Sequence, residues 1–318
     1  MTGHAPGPGP GGPWLPSAPC TPEDCLTEAA PAVPGPRRAA RYLAGVAVLL
    51  LGIVLSPPAR RCATARRDRL TARWCRAVVT AFGVRVRVVG GAAVPGALVV
   101  ANHVSWLDIP VVAAVRPGRM VAKSEVGAYP VLGPLAARGA TIFLDRDRLR
   151  ALPGTVAEMA AALRRGSTVV AYPEGSTWCG RAQGRFRHAA FQAALDAGAP
   201  VQPLRIRYRL EGAPGQEAPT AVAAFVGEDT LLASLRRIVA ARGLVAEVTV
   251  LPPIPAGTHA DRRTLARAAR AVVCGEPAVR GGAVEPAGAG GVSTGACPPC
   301  APTPRRPVRP VRDTAARG

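Results

Sequence analysis

The longest apolar segment of the chain is residues 42–55, where 14 consecutive positions are apolar or small. Arg37, Arg38 and Arg41 precede it, and Pro-Pro and Arg-Arg pairs follow it. A helix that crosses a bilayer needs about 20 apolar residues, so this segment is short for a full span. We predict that it anchors or half-inserts the chain in a membrane. A secretory signal peptide and a buried helix are the alternatives.

The next segment, residues 59–82, has the pattern of a basic amphipathic helix. Its apolar positions recur every four residues, at Leu70, Trp74, Val78 and Phe82. The other positions are rich in arginine, at Arg66, Arg67, Arg69, Arg73 and Arg76. A helix of this kind with Trp on its apolar side is typical of a membrane interface. The alternative is a surface helix packed on its own domain.

Beyond residue 83, short apolar runs alternate with segments of helical periodicity. The predicted strands are Val84–Val89, Leu98–Ala101, Met120–Ala122, Thr141–Leu144, Thr168–Tyr172, Val201–Ile206, Ala221–Val226 and Glu247–Leu251. The predicted helices are Thr155–Arg165, opened by a Thr155-x-x-Glu158 capping box, then Phe186–Ala197, Asp229–Arg242 with Gly243 after it, and Ala260–Cys274. This alternation predicts an α/β fold, a mixed sheet flanked by helices, after an N-terminal membrane-associated helical segment.

Glycine and proline indicate the domain limits. Residues 1–36 and 275–318 each hold 16 of the 69 Gly and Pro residues of the 318-residue chain. We therefore predict a disordered N-terminus at 1–36, membrane-associated helices at 37–82, an α/β domain at 83–274 and a disordered tail at 275–318.

The net charge of +20 comes almost wholly from arginine, because Lys123 is the only lysine. A bias to arginine suits a GC-rich genome, yet few acidic residues offset it, so anionic partners are favoured. Aromatic residues make up only 4% of the chain and do not alternate with basic ones as in base-stacking proteins. Membrane lipids are therefore the predicted partner, and no nucleic acid is expected. A nucleic-acid binder would have to place the arginines of 59–76 on phosphates.

The eight cysteines have no complete metal-binding pattern. Only Cys297-Pro-Pro-Cys300 has ligand-like spacing, it lies in the tail, and no second pair follows. We predict scattered, reduced thiols in a cytosolic setting and no metal site.

One histidine has a chemical context that the others lack. His103 directly follows the apolar strand at 98–101, and Asp108 comes five residues later. Functional groups collect where strands of an α/β sheet end. A carboxylate within one turn can hold the imidazole in one tautomer and make it a better base. The alternative is structural: Ser105-x-x-Asp108 is also a possible capping box, and His103 could bond only to backbone.

Four ordered blocks make residues 80–255 resemble the PlsC-type glycerolipid acyltransferases, also called lysophosphatidic acid acyltransferases. The blocks are NHVSWLD at 102–108, similar to NHxxxxD; GATIFLDR at 139–146; YPEGST at 172–177; and APVQPL at 199–204. One block would be weak evidence, but four in order at ordinary spacings are specific.

The resemblance implies a role for each block. His103 would be the general base that deprotonates an acceptor hydroxyl, and Asp108 would orient and stabilise its imidazole. The acceptor pocket would be shaped by Gly139, Phe143 and Arg146 on one wall and Glu174 and Gly175 on another, while Pro203 would serve the acyl side. Asn102, Ser176 and Thr177 belong to the same blocks and are predicted to contact substrate. The alternatives are core packing, turns and a solvated charge run around Arg146.

One departure bears on the acceptor. Phosphate-acceptor members usually have Arg directly after the E-G-T of the third block, whereas here Glu174-Gly175 is followed by Ser176, Thr177 and Trp178, and the next arginine is Arg181. A similar third block and a Trp-Leu-Asp first block occur in a relative that acylates lyso-ornithine lipid, which has no phosphate.

The resemblance thus predicts an O-acyltransferase of the cytoplasmic membrane, with its catalytic domain on the cytoplasmic side. It would move an acyl group from acyl-CoA or acyl-ACP, a co-substrate, to a lysophospholipid such as 1-acyl-glycerol-3-phosphate. No bound cofactor is expected. Acylation of lyso-ornithine lipid, and a non-catalytic lipid-binding protein of the same fold, are the alternatives.

Overall fold

A computed structural model describes residues 18–28, 30–59, 61–128, 133, 136, 139–145, 148–212 and 219–275. Seven strands form one sheet: β1 (Arg85–Gly90), β2 (Leu98–Ala101), β3 (Arg119–Lys123), β4 (Ile142–Leu144), β5 (Val169–Ala171), β6 (Val201–Leu210) and β7 (Leu244–Val250). Their order across the sheet is β1-β7-β6-β2-β5-β3-β4. All neighbours are parallel except β6 and β7, which pair antiparallel. The predicted mixed sheet is confirmed.

Helices cover both faces of this sheet. They are α1 (Pro22–Cys25), α2 (Gly35–Ala59), α3 (Thr64–Ala81), α4 (Asp108–Val115), α5 (Leu152–Arg164), α6 (Ala189–Ala197), α7 (Leu231–Ala240) and α8 (Arg262–Cys274). Strand β2 shows how the core divides, because its side chains alternate between faces. Val99 and Ala101 join the apolar cluster that includes α3, α4 and α7, whereas Leu98 and Val100 join the cluster of α5, α6 and α8.

Helices α2 and α3 pack against each other, and two glycines of α2 allow the close approach. A Cβ at Gly45 would overlap the ring of Phe82, and one at Gly52 would overlap the indole of Trp74. The Trp74 indole also donates to the Val48 carbonyl at 2.8 Å. The C-terminal half of α3 is buried against α4. The C-terminal part of the apolar side of α3 therefore packs on its own chain, as in the alternative interpretation, whereas Leu70 is 41% exposed and the arginines remain exposed.

The opposite face of α2 is exposed and apolar. We call it the outer face of α2, and it consists of Leu43, Val46, Leu50, Leu51, Val54 and Leu55. Residues 35–58 form a helix long and apolar enough to cross a membrane, and only 6% of its most apolar window is buried. The structured helix is thus longer than the 14-residue apolar run, because it extends through the flanking arginines and prolines.

The described part of the segment predicted to be disordered at 1–36 is ordered, since it contains α1 and a bridge from Ala32 to Ala241.

Three local predictions were wrong. Residues 221–226 are buried turns and not a strand, because their carbonyls are satisfied from elsewhere: Arg237 donates to the Val222 and Ala224 carbonyls. Helix α5 begins at Leu152, so Thr155 lies inside it and caps nothing. Helix α7 ends at Ala240, and Gly243, with φ of 75°, forms the turn into β7.

Candidate active site

The candidate site lies where the parallel neighbours β2 and β5 end at the same edge of the sheet. His103 follows β2 and Glu174 follows β5, and the Glu174 carboxylate accepts from the His103 backbone N–H at 2.6 Å. The Asn102 side chain bridges to β6 on the other side. It donates to the Ile206 carbonyl at 2.9 Å and accepts from the Ile206 N–H at 2.8 Å. Side-chain hydrogen bonds to the segment after β5 and to β6 therefore hold Asn102 and the His103 peptide in place.

His103 and Asp108 form a hydrogen-bonded pair. The imidazole Nδ1 lies 2.9 Å from Asp108 Oδ2, and the same oxygen accepts the backbone N–H groups of Val104 at 2.6 Å and Ser105 at 2.9 Å. Asp108 is fully buried at the first position of α4. The predicted Ser105-x-x-Asp108 capping box forms only in part: Asp108 bonds the Ser105 N–H three residues back, but the N-cap of α4 is Leu107 and has no side-chain cap bond. Asp108 also orients His103, so both functions coincide in one carboxylate.

Two tyrosines complete the surroundings of this pair, and neither was predicted. The Tyr208 hydroxyl, on β6, donates to Asp108 Oδ1 at 2.6 Å. The Tyr172 ring, at the end of β5, stacks on the imidazole with centroids 4.1 Å apart. Burial, with the charge of Asp108, raises the pKa of both phenols, so both remain neutral. The alternating pattern of β6 could have placed Tyr208 on this face, but no local motif links it to Asp108.

Glu174 is buried and holds two backbone segments. One oxygen accepts from His103 N–H, as above, and the other accepts from the Gly184 N–H at 2.8 Å. Burial raises the pKa of Glu174 to about 8, although these two N–H bonds and Arg270 act against the shift. Because its oxygens are engaged by backbone, Glu174 positions the His103 peptide. Its predicted contact with substrate stays a prediction.

Loops from two other parts of the chain close around the pair. The Trp178 N–H donates to the His103 carbonyl at 2.8 Å, and the Phe225 N–H donates to the Val104 carbonyl at 3.0 Å. The Thr177 hydroxyl bonds to the Phe225 carbonyl. The predicted strand at 221–226 is therefore a wall of the site.

The remaining predicted residues lie at varying positions. Gly175 forms the turn after β5, with φ of 76°, and Ser176 follows it, partly buried. Gly139 lies in an exposed turn, where Arg119 donates to the adjacent Ala140 carbonyl. Phe143 is on β4, beside Ala122. Pro203 is buried inside β6 opposite Val100, three residues before Ile206, the residue to which Asn102 bonds. Arg146 is outside the described residues.

Because Nδ1 is bonded to Asp108, Nε2 is the nitrogen that can accept from a donor on a substrate, as a general base requires. The His103 side chain is 19% exposed while Asp108 is 0% exposed. A substrate can therefore reach the imidazole but not its orienting partner.

Comparisons with known proteins relate the chain to acyltransferases. The family model described as acyltransferase matches residues 85–207. A lyso-ornithine lipid O-acyltransferase of Pseudomonas aeruginosa is 38% identical over 212 residues, which cover 66% of this chain and 79% of that relative. A 1-acyl-sn-glycerol-3-phosphate acyltransferase of Neisseria meningitidis is 34% identical over 203 residues, covering 63% of this chain and 77% of that protein.

A solved structure shows the same fold. The 1-acyl-sn-glycerophosphate acyltransferase PlsC of Thermotoga maritima superposes with a TM-score of 0.56 at 19% identity, covering 74% of this chain and 91% of that one.

Proposed function

Since this chain belongs to the PlsC-type acyltransferase family and is an O-acyltransferase of the lysophospholipid type, we propose that His103 is its general base and that its acceptor is lyso-ornithine lipid. The observation that supports the mechanism is the His103–Asp108 pair. Nε2 takes the proton of the acceptor hydroxyl as that oxygen attacks the thioester carbonyl. The tetrahedral intermediate then expels the thiolate, which receives the proton back from the imidazolium.

The third block supports a phosphate-free acceptor. Phosphate binding favours an arginine able to bond the anion bidentately. Arg181, the arginine that follows the block, lies 3.2 Å from Glu28 in an ion pair. The position expected for arginine is instead filled by Thr177, bonded to Phe225, or by Trp178, whose N–H holds His103. The described part of this block thus presents no uncommitted guanidinium, and the relative from Pseudomonas aeruginosa is a lyso-ornithine lipid enzyme.

The acyl donor and location complete the proposal. The donor is acyl-CoA or acyl-ACP, consumed as a substrate, and the chemistry needs no bound cofactor because His103 supplies the proton transfer. The outer face of α2 holds the chain in the cytoplasmic membrane, with the α/β domain on the cytoplasmic side, where both thioesters occur.

A competition assay tests the acceptor. The full-length protein in phospholipid vesicles receives equal amounts of lyso-ornithine lipid and 1-acylglycerol-3-phosphate, with labelled acyl-CoA in one arm and acyl-ACP in the other. Mass spectrometry then quantifies both products. We expect ornithine lipid to form at least about tenfold faster than phosphatidic acid. Faster formation of phosphatidic acid would overturn the acceptor, whereas no thioester consumption with either would overturn the mechanism.

A further inference from the structure

Three buried cysteines from two distant parts of the chain converge beside the candidate active site. The sulfur atoms of Cys20, Cys25 and Cys179 all lie within 4.8 Å of one another. Their exposures are 2%, 3% and 0%. Because Cys179 is far from the other two along the chain, the sequence alone does not reveal this group, and the thiols were predicted to be scattered.

The N-terminal half of the group is built by a tight local turn. Thr21 caps α1, its side chain accepting from the Asp24 N–H at 3.2 Å, and the Cys25 N–H returns to the Thr21 carbonyl at 3.0 Å. This single turn brings the sulfur atoms of Cys20 and Cys25 close together, on the side of the segment that meets Cys179. A Cβ at Gly227 would come within 3.2 Å of the Cys20 carbonyl, so the segment lies directly on the loop that follows the site wall.

The other half belongs to the site itself. Cys179 directly follows Trp178, whose N–H binds the His103 carbonyl. Glu28 extends the same connection, since its carboxylate accepts from Arg181 at 3.2 Å and from the Thr220 hydroxyl at 3.0 Å. Residues 18–28 therefore lie across both loops that surround His103, with only one helical turn of regular structure to hold them.

We propose that Cys20, Cys25 and Cys179 bind one thiophilic metal ion, Zn²⁺ or Cu⁺, which fastens the N-terminal segment to the active-site loops. The donor set is all sulfur, which selects soft cations over Mg²⁺ or Ca²⁺. Metal–sulfur bonds of about 2.3 Å place thiolates roughly 4 Å apart, so the sulfurs need to move inward by less than about 1 Å. Each thiol that binds loses its proton to solvent, and no oxidant or reductant is required.

The role is structural, because the group does not contact the His103 imidazole in the described structure. Short segments that bury little of their own core are commonly fastened by a metal or a disulfide.

Metal content is the first test. The full-length protein is purified under reducing conditions with a tag that lacks histidine and is analysed by mass spectrometry for zinc and copper. Chelator-treated protein is then titrated separately with Zn²⁺, Cu⁺ and the spectroscopic probe Co²⁺. We expect about one ion per chain and sulfur-to-cobalt charge-transfer bands. Cys179→Ala should lose both, whereas the control Cys62→Ala, a cysteine outside the group, should keep them.

A stability measurement covers the case in which a variant folds poorly. Chelation should lower the Tm of the wild type and of Cys62→Ala by about 5 °C and leave the Tm of Cys25→Ala unchanged. The proposal would be overturned by a wild type that takes up neither zinc nor copper. Equal metal uptake by Cys179→Ala and the wild type would also overturn it, and so would a disulfide between two of the three cysteines. Acyl transfer by the wild type does not enter either readout, so the outcome is independent of the proposed acceptor.

Discussion

The His103 edge of the sheet and the outer face of α2 differ in what satisfies their side chains. At the edge, Asp108 is fully buried and accepts from His103, Val104, Ser105 and Tyr208. On α2, Leu43 is 73% exposed and Val54 is 70% exposed. The polar groups of the edge find their partners within this chain, whereas the apolar face of α2 finds none among the described residues.

This difference indicates that the His103 edge determines turnover and that the outer face of α2 determines membrane binding. A buried carboxylate with four donors fixes geometry and therefore chemistry. An exposed apolar stripe has no role in chemistry, and it is stable only beside another apolar phase. Changes at the edge should therefore alter turnover and leave membrane binding intact, and changes on α2 should do the reverse.

The largest expected effect is the loss of the proposed base. His103→Ala should lower kcat/KM for acyl transfer by about 10⁴-fold, because it removes the group that is proposed to take the acceptor proton. Thioester consumption measures this, and vesicle flotation should show unchanged membrane binding. His188→Ala is the matched control, since His188 is exposed at the start of α6. A His103→Ala variant with substantial turnover would contradict the mechanism.

The second largest expected effect is the pH dependence of stability that the buried Glu174 carboxyl produces. Burial raises the pKa of this carboxyl from its ordinary value of 4.5 to about 8. Because the folded state binds the proton more tightly, this stabilising contribution is complete below pH 4.5 and is lost as the pH rises through 8. We expect the free energy of unfolding to fall over this range by at most about 5 kcal/mol.

Urea unfolding at a series of pH values measures this contribution. Glu174→Gln cannot titrate, so its curve should lack the slope between these two pH values while the rest of the pH dependence is kept. Parallel curves for the variant and the wild type would show that the folded state does not shift this pKa.

The sequence predicted the His103–Asp108 pair better than it predicted the residues that hold this pair in place. His103 and Asp108 are five residues apart, so one local motif contains the whole pair. Glu174 came from a second motif, but the sequence could not show that it bonds to backbone. Tyr208 acts from 100 residues away. Only the pairing of β6 with β2 brings its hydroxyl to Asp108, and no local pattern encodes that register.

Buried segments without regular structure were the main source of error in the fold. Residues 221–226 are apolar because they line the site wall, and an apolar run signals burial without specifying a strand. The cysteine group escaped notice for a related reason, since Cys179 joins the other two only through tertiary contacts. Helix α2, by contrast, was predicted from its apolar pattern alone. Its outer face packs against no other part of the described chain, so no tertiary contact had to be known.

A charge on the outer face of α2 should have the third largest effect. Leu50→Asp places a carboxylate where Leu50 is 55% exposed. Moving Asp instead of Leu into a bilayer costs about 3–4 kcal/mol at a helix centre, so vesicle binding should weaken by at least about 100-fold. Turnover of a micellar acceptor should be unchanged. Gly52→Ala, on the packed face, is the control: its Cβ would overlap Trp74, so it should lower Tm and spare vesicle binding.

The smallest expected effect comes from removing one hydrogen bond to Asp108, the bond that the Tyr208 hydroxyl donates. Tyr208→Phe removes a hydroxyl that donates to Asp108 at 2.6 Å and leaves one buried oxygen without that donor. A hydrogen bond to a charged group is worth about 1.5–3 kcal/mol, so kcat should fall by at least about tenfold while KM for the acceptor stays unchanged. Tyr172→Phe is the matched control, since the buried Tyr172 hydroxyl has no hydrogen-bond partner among the described residues. Equal losses from the two substitutions would mean that packing, and not the bond to Asp108, accounts for the role of Tyr208.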